Sequence, residues 1–381
     1  MSTQLIFQYL TQMNARGASD LYLTVGFPPS LRIENRMEDL RAEPLTADEI
    51  AEIVNAIFTP RQRRDYDPKM ELNSSLDMGQ YGRFRINALR QRQRPALVIR
   101  RIISQIPNFE QLSLPPVMEK LSLFKRGLIL VTGTTGSGKS TTLASMIDYR
   151  NRTEHGHIIT IEDPIEYFHE HKKSIITQRE VGVDTETYGI ALKNVLRQRP
   201  DVILVGEIRD REVMEQALLV AETGHLCLAT LHTTNTYQAI ERIINFFPEE
   251  YHQQIRLNLS LNLKGIVAQR LIPGRDNNMS LAIEVMLNDG LVKELIHEGK
   301  IQKIRDVMEQ NQSAGMCTFD QSLYALYRQE KITEEMALTY ADMPGDLRIK
   351  IQQTRLGKDQ GGFRNLDTSG LAITEDIPVR R

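Results

Sequence analysis

The sequence predicts an α/β protein, a small α+β domain followed by a parallel sheet layered with helices. Three observations carry this expectation. Apolar strands at 128–132, 158–161, 202–205 and 226–231 run unbroken and alternate with helical stretches. Strands apolar at every position belong to a parallel sheet covered on both faces. Before residue 105 the style differs, with short strands of alternating polarity and amphipathic helices. Between the two lies QIPNFEQLSLPPV, which holds three prolines and no period.

Each element follows from its own pattern. Residues 2–16 place Leu5, Ile6, Tyr9, Leu10 and Met13 on one helical face. Leu21, Leu23 and Val25 then alternate with polar neighbours, which predicts a strand, and a second strand is expected around 31–34 after Pro28-Pro29. Residues 46–58 open with Thr46 and Glu49 at capping-box spacing and read as a helix. Strands are expected at 71–78 and within 82–103. A short helix near 117–124 precedes the strand at 128–132, and another helix starts at Lys139. From about 285 the pattern is helical. These patterns divide the chain into 1–105, a linker at 106–117, an α/β core at 118–285, a helical region at 286–356 and a polar, glycine-rich tail at 357–381 expected to be disordered.

Composition sets bounds on function. Hydrophobic residues make up 41% and charged residues 25% of 381, enough apolar side chains for two or three domain cores. The net charge of −2 offers no global attraction for nucleic acid, and no nucleic-acid partner is expected. Cys227 and Cys317 stand far apart, so neither a disulfide framework nor a thiolate zinc site is expected. The first residues lack a basic leader and do not read as a signal peptide. No apolar run is long enough to span a membrane, so no direct membrane insertion is expected.

The chemistry concentrates in four segments. GTTGSGKS, Gly133 to Ser140, fits the phosphate-binding loop pattern and sits between a strand and a helix, as that loop requires. Gly133, Thr134, Thr135, Gly136, Ser137 and Gly138 would wrap the backbone around phosphate oxygens, with Lys139 on the β and γ phosphates, Ser140 on Mg²⁺ and Thr141 alongside. Lys139 is expected to be exposed in the empty loop. DVILVGEIRD at 201–210 ends a buried strand in Glu207, where such a sheet holds Mg²⁺ and its waters. IITIEDPIE at 158–166 offers carboxylates to position the attacking water: Glu166 first, Glu162 second, Asp163 in support. His225 and His232 bracket the strand 226–231, and either could sense the γ-phosphate or simply be hydrogen-bonded in place. His155, His157, His169 and His171 read as solvated loop residues rather than metal ligands.

Seven arginines lie between 83 and 101. In RFRINA, Phe84, Ile86 and Ala88 point one way, Arg83 and Arg85 the other. Three readings stay open for this face: solvated surface, a nucleic-acid patch, or arginines supplied to a neighbour's ATP. Arg209 and Arg270 are further candidates for phosphate or a subunit boundary.

The combination of GTTGSGKST, IITIEDPIEY, DVILVGEIRD and TGHLCLATLHTTNT resembles the Walker A, Asp-box, Walker B and His-box elements of the secretion ATPases. SDLYLTVGFPPSLRI, YGRFRINA and IVAQRLIP are similar to the retraction branch of the type IV pilus motors, the PilT/PilU family. The resemblance covers about residues 1–300. It implies a PAS-like N-terminal domain, a RecA-like P-loop domain and a cytoplasmic homo-hexamer that hydrolyses ATP with Mg²⁺. It gives Lys139 and Ser140 the Walker A roles, Glu207 the Walker B role, Glu166 the Asp-box role and His232 the His-box role, with Arg83 and Arg85 closing the site. The chain lacks the four-cysteine insertion of pilus-assembly ATPases. It carries GLVKELIHEG at 290–299 where PilT has a sequence like AIRNLIREG, and a long tail. Both features are closer to PilU. They imply an accessory retraction motor that works with a PilT-type partner and reaches the membrane through an inner-membrane pilus platform protein. A RecA-like nucleic-acid translocase and a weakly hydrolysing nucleotide-dependent regulator are the alternatives.

Overall fold

The computed structural model describes residues 2–33, 36–79, 82–102, 105–276 and 278–359. Two sheets organise the molecule. The first is built from the N-terminal elements α1 (Ser2–Ala15), β1 (Asp20–Thr24), β2 (Ser30–Ile33), β3 (Arg36–Asp39), α2 (Ala47–Ile57), α3 (Pro60–Lys69), β4 (Glu71–Asp77), β5 (Arg83–Gln91) and β6 (Arg94–Ile102). Its strand order is β3-β2-β1-β6-β5-β4 and all its pairings are antiparallel. Strand β5 alternates as its sequence demands, with Phe84, Ile86 and Ala88 buried against Leu10, Met13 and Ile53 of the helices. The turn into β6 uses Arg92 and Gln93, both at positive φ (49° and 64°), the geometry that matches a tight hairpin to strand twist. Thr46 and Glu49 form the capping box their spacing predicts.

The second sheet comprises β7 (Gly127–Gly133), β8 (Gly156–Glu162), β9 (Ser174–Glu180), β10 (Val202–Val205), β11 (Leu226–Leu231), β12 (Leu263–Pro273) and β13 (Met279–Leu287), in the order β13-β12-β7-β11-β10-β8-β9. All pairings are parallel except β12 with β13. Every residue of β7, β10 and β11 is buried. Side chains alternate between faces, so both faces of these strands are covered. The crossovers carry α5 (Lys139–Thr153), α6 (Tyr188–Val195), α7 (Arg211–Glu222), α8 (Thr236–Asn245) and α9 (His252–Asn262), and α4 (Val117–Ser122) precedes β7.

Parallel register places the site. Val205 pairs with Ile161 and Ala229, and Leu231 pairs with Thr132. The C-terminal ends of β7, β8, β10 and β11 therefore meet at one edge of the sheet.

Helices α10 (Leu291–Glu298), α11 (Ile304–Gln310), α12 (Phe319–Arg328), α13 (Glu334–Tyr340) and α14 (Pro344–Asp359) complete the chain. They do not stand apart. Ala268, Ile272 and Ala282 of β12–β13 share a core with Phe319, Leu323 and Ile351. Helix α14 extends to Asp359, three residues into the segment expected to be disordered; the rest of that segment, 360–381, lies outside the described residues.

Candidate nucleotide site

Strand β7 ends at Gly133 and helix α5 begins at Lys139, so the intervening loop is pinned at both ends. Gly133 lies at φ 149°, and a Cβ there would sit 2.3 Å from Ser137 Oγ and 2.6 Å from the Gln269 carbonyl. Only glycine fits that approach. Gly138 caps α5 at φ 92°. Thr134, Thr135 and Gly136 face solvent, and the buried Ser137 hydroxyl has no hydrogen-bond partner. The expectation that Lys139 is exposed is corrected. It is 8% exposed, and its Nζ donates to the carbonyls of Gly133 (3.0 Å) and Thr134 (2.9 Å). The ammonium is held by acceptors that its own loop provides. Burial lowers its pKa, and the charges of Glu207 and Glu166 oppose that shift.

The loop borders a cavity of about 350 Å³. Lys139 and Ser140 line it together with Glu162, Asp163, Glu166, Glu207, Arg209 and His232. The four sequence segments thus converge, as the strand register requires. Glu207 is held on both oxygens: His232 Nε2 lies 3.0 Å from Oε1, and Arg209 Nε donates to Oε2 at 2.8 Å. Arg209 also reaches Asp163 at 3.6 Å. Burial lowers the His232 pKa, Lys139 pushes it the same way, and Glu207 opposes both. Glu162 accepts from Thr160 Oγ1 (2.6 Å) and Gln178 Nε2 (3.3 Å), and burial pushes its carboxyl up to about 7. Ser140 and Glu207 present hard oxygen donors to one space, the donor type a magnesium ion takes beside phosphate.

Other sequence candidates lie elsewhere. Arg83 and Arg85 do not line this cavity; the Arg83 guanidinium stacks on the Phe168 ring at 4.9 Å and lies 3.3 Å from Asp77. His225 precedes β11, at the opposite end of the strand from His232, and bonds Thr223. Arg270 is engaged, donating to Tyr340 O and Asp342 at 2.7 Å each and stacking on Phe319. The reading of four solvated loop histidines holds for the exposed His155 and His171 and is corrected for His157 and His169. His169 is buried, with Nδ1 unpartnered and its pKa lowered to about 4 by burial. His157 lies within β8 and bonds Thr177, while the exposed His171 accepts from the Ile176 amide. In both stretches the chain returns to the sheet sooner than composition suggested.

A second cavity of about 440 Å³ opens on the other side of the phosphate loop. Gly138 and Thr141 form one wall, the turn between β12 and β13 another, and Gln111, Leu112 and Ser113 a third. The segment read as a linker is therefore docked. Ser145 Oγ donates to Pro107 O at 2.6 Å, Phe109 packs on Tyr149 with centroids 5.2 Å apart, and Asn108 and Gln111 bond reciprocally at 2.8 Å. The Asn108/Gln111 spacing was the available signal, hidden among prolines.

Residues 5–344 match the type II/IV secretion system proteins. The chain belongs to that family. Within it, the chain is 48% identical to the type IV pilus ATPase PilU of Pseudomonas aeruginosa, over 98% of both chains. It is 40% identical to the PilT retraction ATPase of the same organism, over 86% of this chain and 96% of that one. The identities bear out the nearer likeness to PilU. Among solved structures, the pilus retraction motor PilT with bound ADP superposes with a TM-score of 0.85 at 42% identity, covering 90% of this chain and 99% of that one.

Sequence reasoning passed over Tyr167, Tyr188 and Thr230, which also line the first cavity. Tyr167 directly follows Glu166, and its hydroxyl lies 2.8 Å from Thr141 Oγ1. Adjacency to the acidic segment was the only signal for it.

Proposed function

We propose that the chain is an ATP-hydrolysing motor of the type IV pilus machinery, an accessory retraction ATPase acting with a PilT-type partner. One observation carries this reading: the phosphate loop, Glu166, Glu207 and His232 surround a single cavity. Identity with PilU over nearly the whole length supports the pilus assignment.

In this reading the loop amides and Lys139 bind the β and γ phosphates, exchanging the two carbonyls that now hold the ammonium for phosphate oxygens. Magnesium, held by Ser140 and Glu207, would supply charge neutralisation on those phosphates. Glu166 orients the attacking water, and His232 holds Glu207 on the cavity side. The second cavity takes the nucleoside.

The six-stranded sheet is read as a PAS-like domain within 1–105. The seven-stranded sheet is read as a RecA-like core at 118–285, joined by 106–117 and followed by the helical region 286–356. Six such chains form a ring in the cytoplasm, peripheral to the inner membrane through a pilus platform protein, with Arg83 and Arg85 acting on a neighbour's nucleotide. Among the described residues no helix is long and apolar enough to cross a membrane.

The test is Mg-dependent ATP hydrolysis by the purified full-length chain and its Lys139→Ala variant. The variant should lose at least about 100-fold in rate, because the developing phosphate charge loses its counter-ion. Hydrolysis at the wild-type rate in the variant refutes the assignment.

A further inference from the structure

Gln178 lies in β9, opposite Thr160 of β8, and does not line the phosphate cavity. Its side-chain amide nevertheless holds the segment that carries Glu166. Nε2 donates to Tyr167 O at 2.9 Å and to Glu162 Oε1 at 3.3 Å, while Oε1 accepts from the His169 amide at 2.8 Å. One planar group uses both its donors and an acceptor on three points of the β8–β9 connection. Two of those points, Tyr167 and His169, lie one and three residues after Glu166 in the chain. Tyr167 is in turn tied to the first turn of α5 by the contact between its hydroxyl and Thr141 Oγ1. His169, 5% exposed, anchors the same segment on its inner side.

Among the described residues no side chain bonds the carboxylate proposed to orient water; its place is set by its backbone, held before it by Glu180 on the Ile165 amide (3.2 Å) and after it by Gln178. The structure assigns Gln178 as a positioning residue for hydrolysis, fixing through Tyr167, His169 and Glu162 the distance between Glu166 and the phosphate loop. This inference rests on the ATPase reading above. Nothing in the sequence marked it, since Gln178 is a polar residue in an edge strand with no motif around it.

The test uses the full-length chain and two variants. Gln178→Met keeps the side-chain length and removes all three bonds; Gln178→Glu keeps the acceptor for His169 and removes both donors. Displacing a reacting group by a fraction of an ångström costs turnover rather than binding, so kcat should fall about tenfold or more in both variants, with KM for ATP within about twofold of wild type. Hydrogen exchange supplies a readout independent of activity: the amides of 167–170 should exchange faster in Gln178→Met, with those of the phosphate loop unchanged. A wild-type kcat in either variant, a raised KM at unchanged kcat, or unchanged exchange at 167–170 overturns the inference. If Gln178→Met fails to fold, Gln178→Glu decides alone by the same kcat criterion. Wild-type enzyme measured alongside separates the two failures, because absence of Mg-dependent hydrolysis there removes the ATPase reading itself.

Discussion

Glu162 ends β8 with its carboxyl turned among Thr160, Gln178 and the charge of Glu166. Burial raises its pKa from 4.5 to about 7, so folding favours the neutral form. That contribution is complete below about 4.5 and is lost as pH rises through about 7. The thermal midpoint of the wild type should therefore fall relative to Glu162→Gln between pH 5 and about pH 7.5. Parallel midpoints across that range would show that the carboxyl is not held neutral. At this scale the sequence was most readable where a residue's place is set by its strand end, as for Glu207 and His232, which both line the cavity. It was least readable where a role is set by a fold-back. Lys139 was misjudged because no local pattern shows that Gly133 O and Thr134 O lie within reach of its ammonium.

Among elements, three of the strands that escaped sequence reading, β3, β9 and β12, share a cause. All four residues of β3 are exposed, so it has no apolar phase to detect. Strand β9 carries Gln178, Arg179 and Glu180 in succession, and β12 interrupts its apolar run with Gln269 and Arg270. The polar pair of β12 finds partners far along the chain: Gln269 Nε2 donates to Thr142 Oγ1, and Arg270 is held by Tyr340 and Asp342. Helix propensity and strand periodicity are local, and these partners are not. The same long-range ties fasten the C-terminal helices to the sheet. Glu284 of β13 accepts from Thr236 N at 2.7 Å at the start of α8 and from Phe319 N at 3.4 Å at the start of α12. Arg270 and Asp342 are each 18% exposed, so removing one leaves the other largely desolvated. Arg270→Leu should cost about 2–3 kcal/mol of stability, read by denaturant unfolding. A loss below about 0.5 kcal/mol would place the pair with ordinary surface contacts.

For the whole molecule, the division into two sheets was legible because strand style changes near residue 105, from alternating to continuously apolar. What was not legible is how the first sheet meets the second. Arg83 stacks on Phe168, two residues beyond Glu166, so the N-terminal sheet touches the very segment that lines the phosphate cavity. If Arg83 or Arg85 serves a neighbour's nucleotide in a ring, Arg83→Ala mixed with Lys139→Ala should recover part of the wild-type hydrolysis rate, since some interfaces then combine an intact loop with an intact arginine. No recovery at any mixing ratio counts against service between subunits.

The stretch from Pro107 to Ser113 is at once the rope between the two halves and a plank in the wall of the second cavity. On the proposed reading a nucleoside seated in that cavity leans on the tether itself, so filling the cavity bears on the point where Ser145 moors Pro107 to α5.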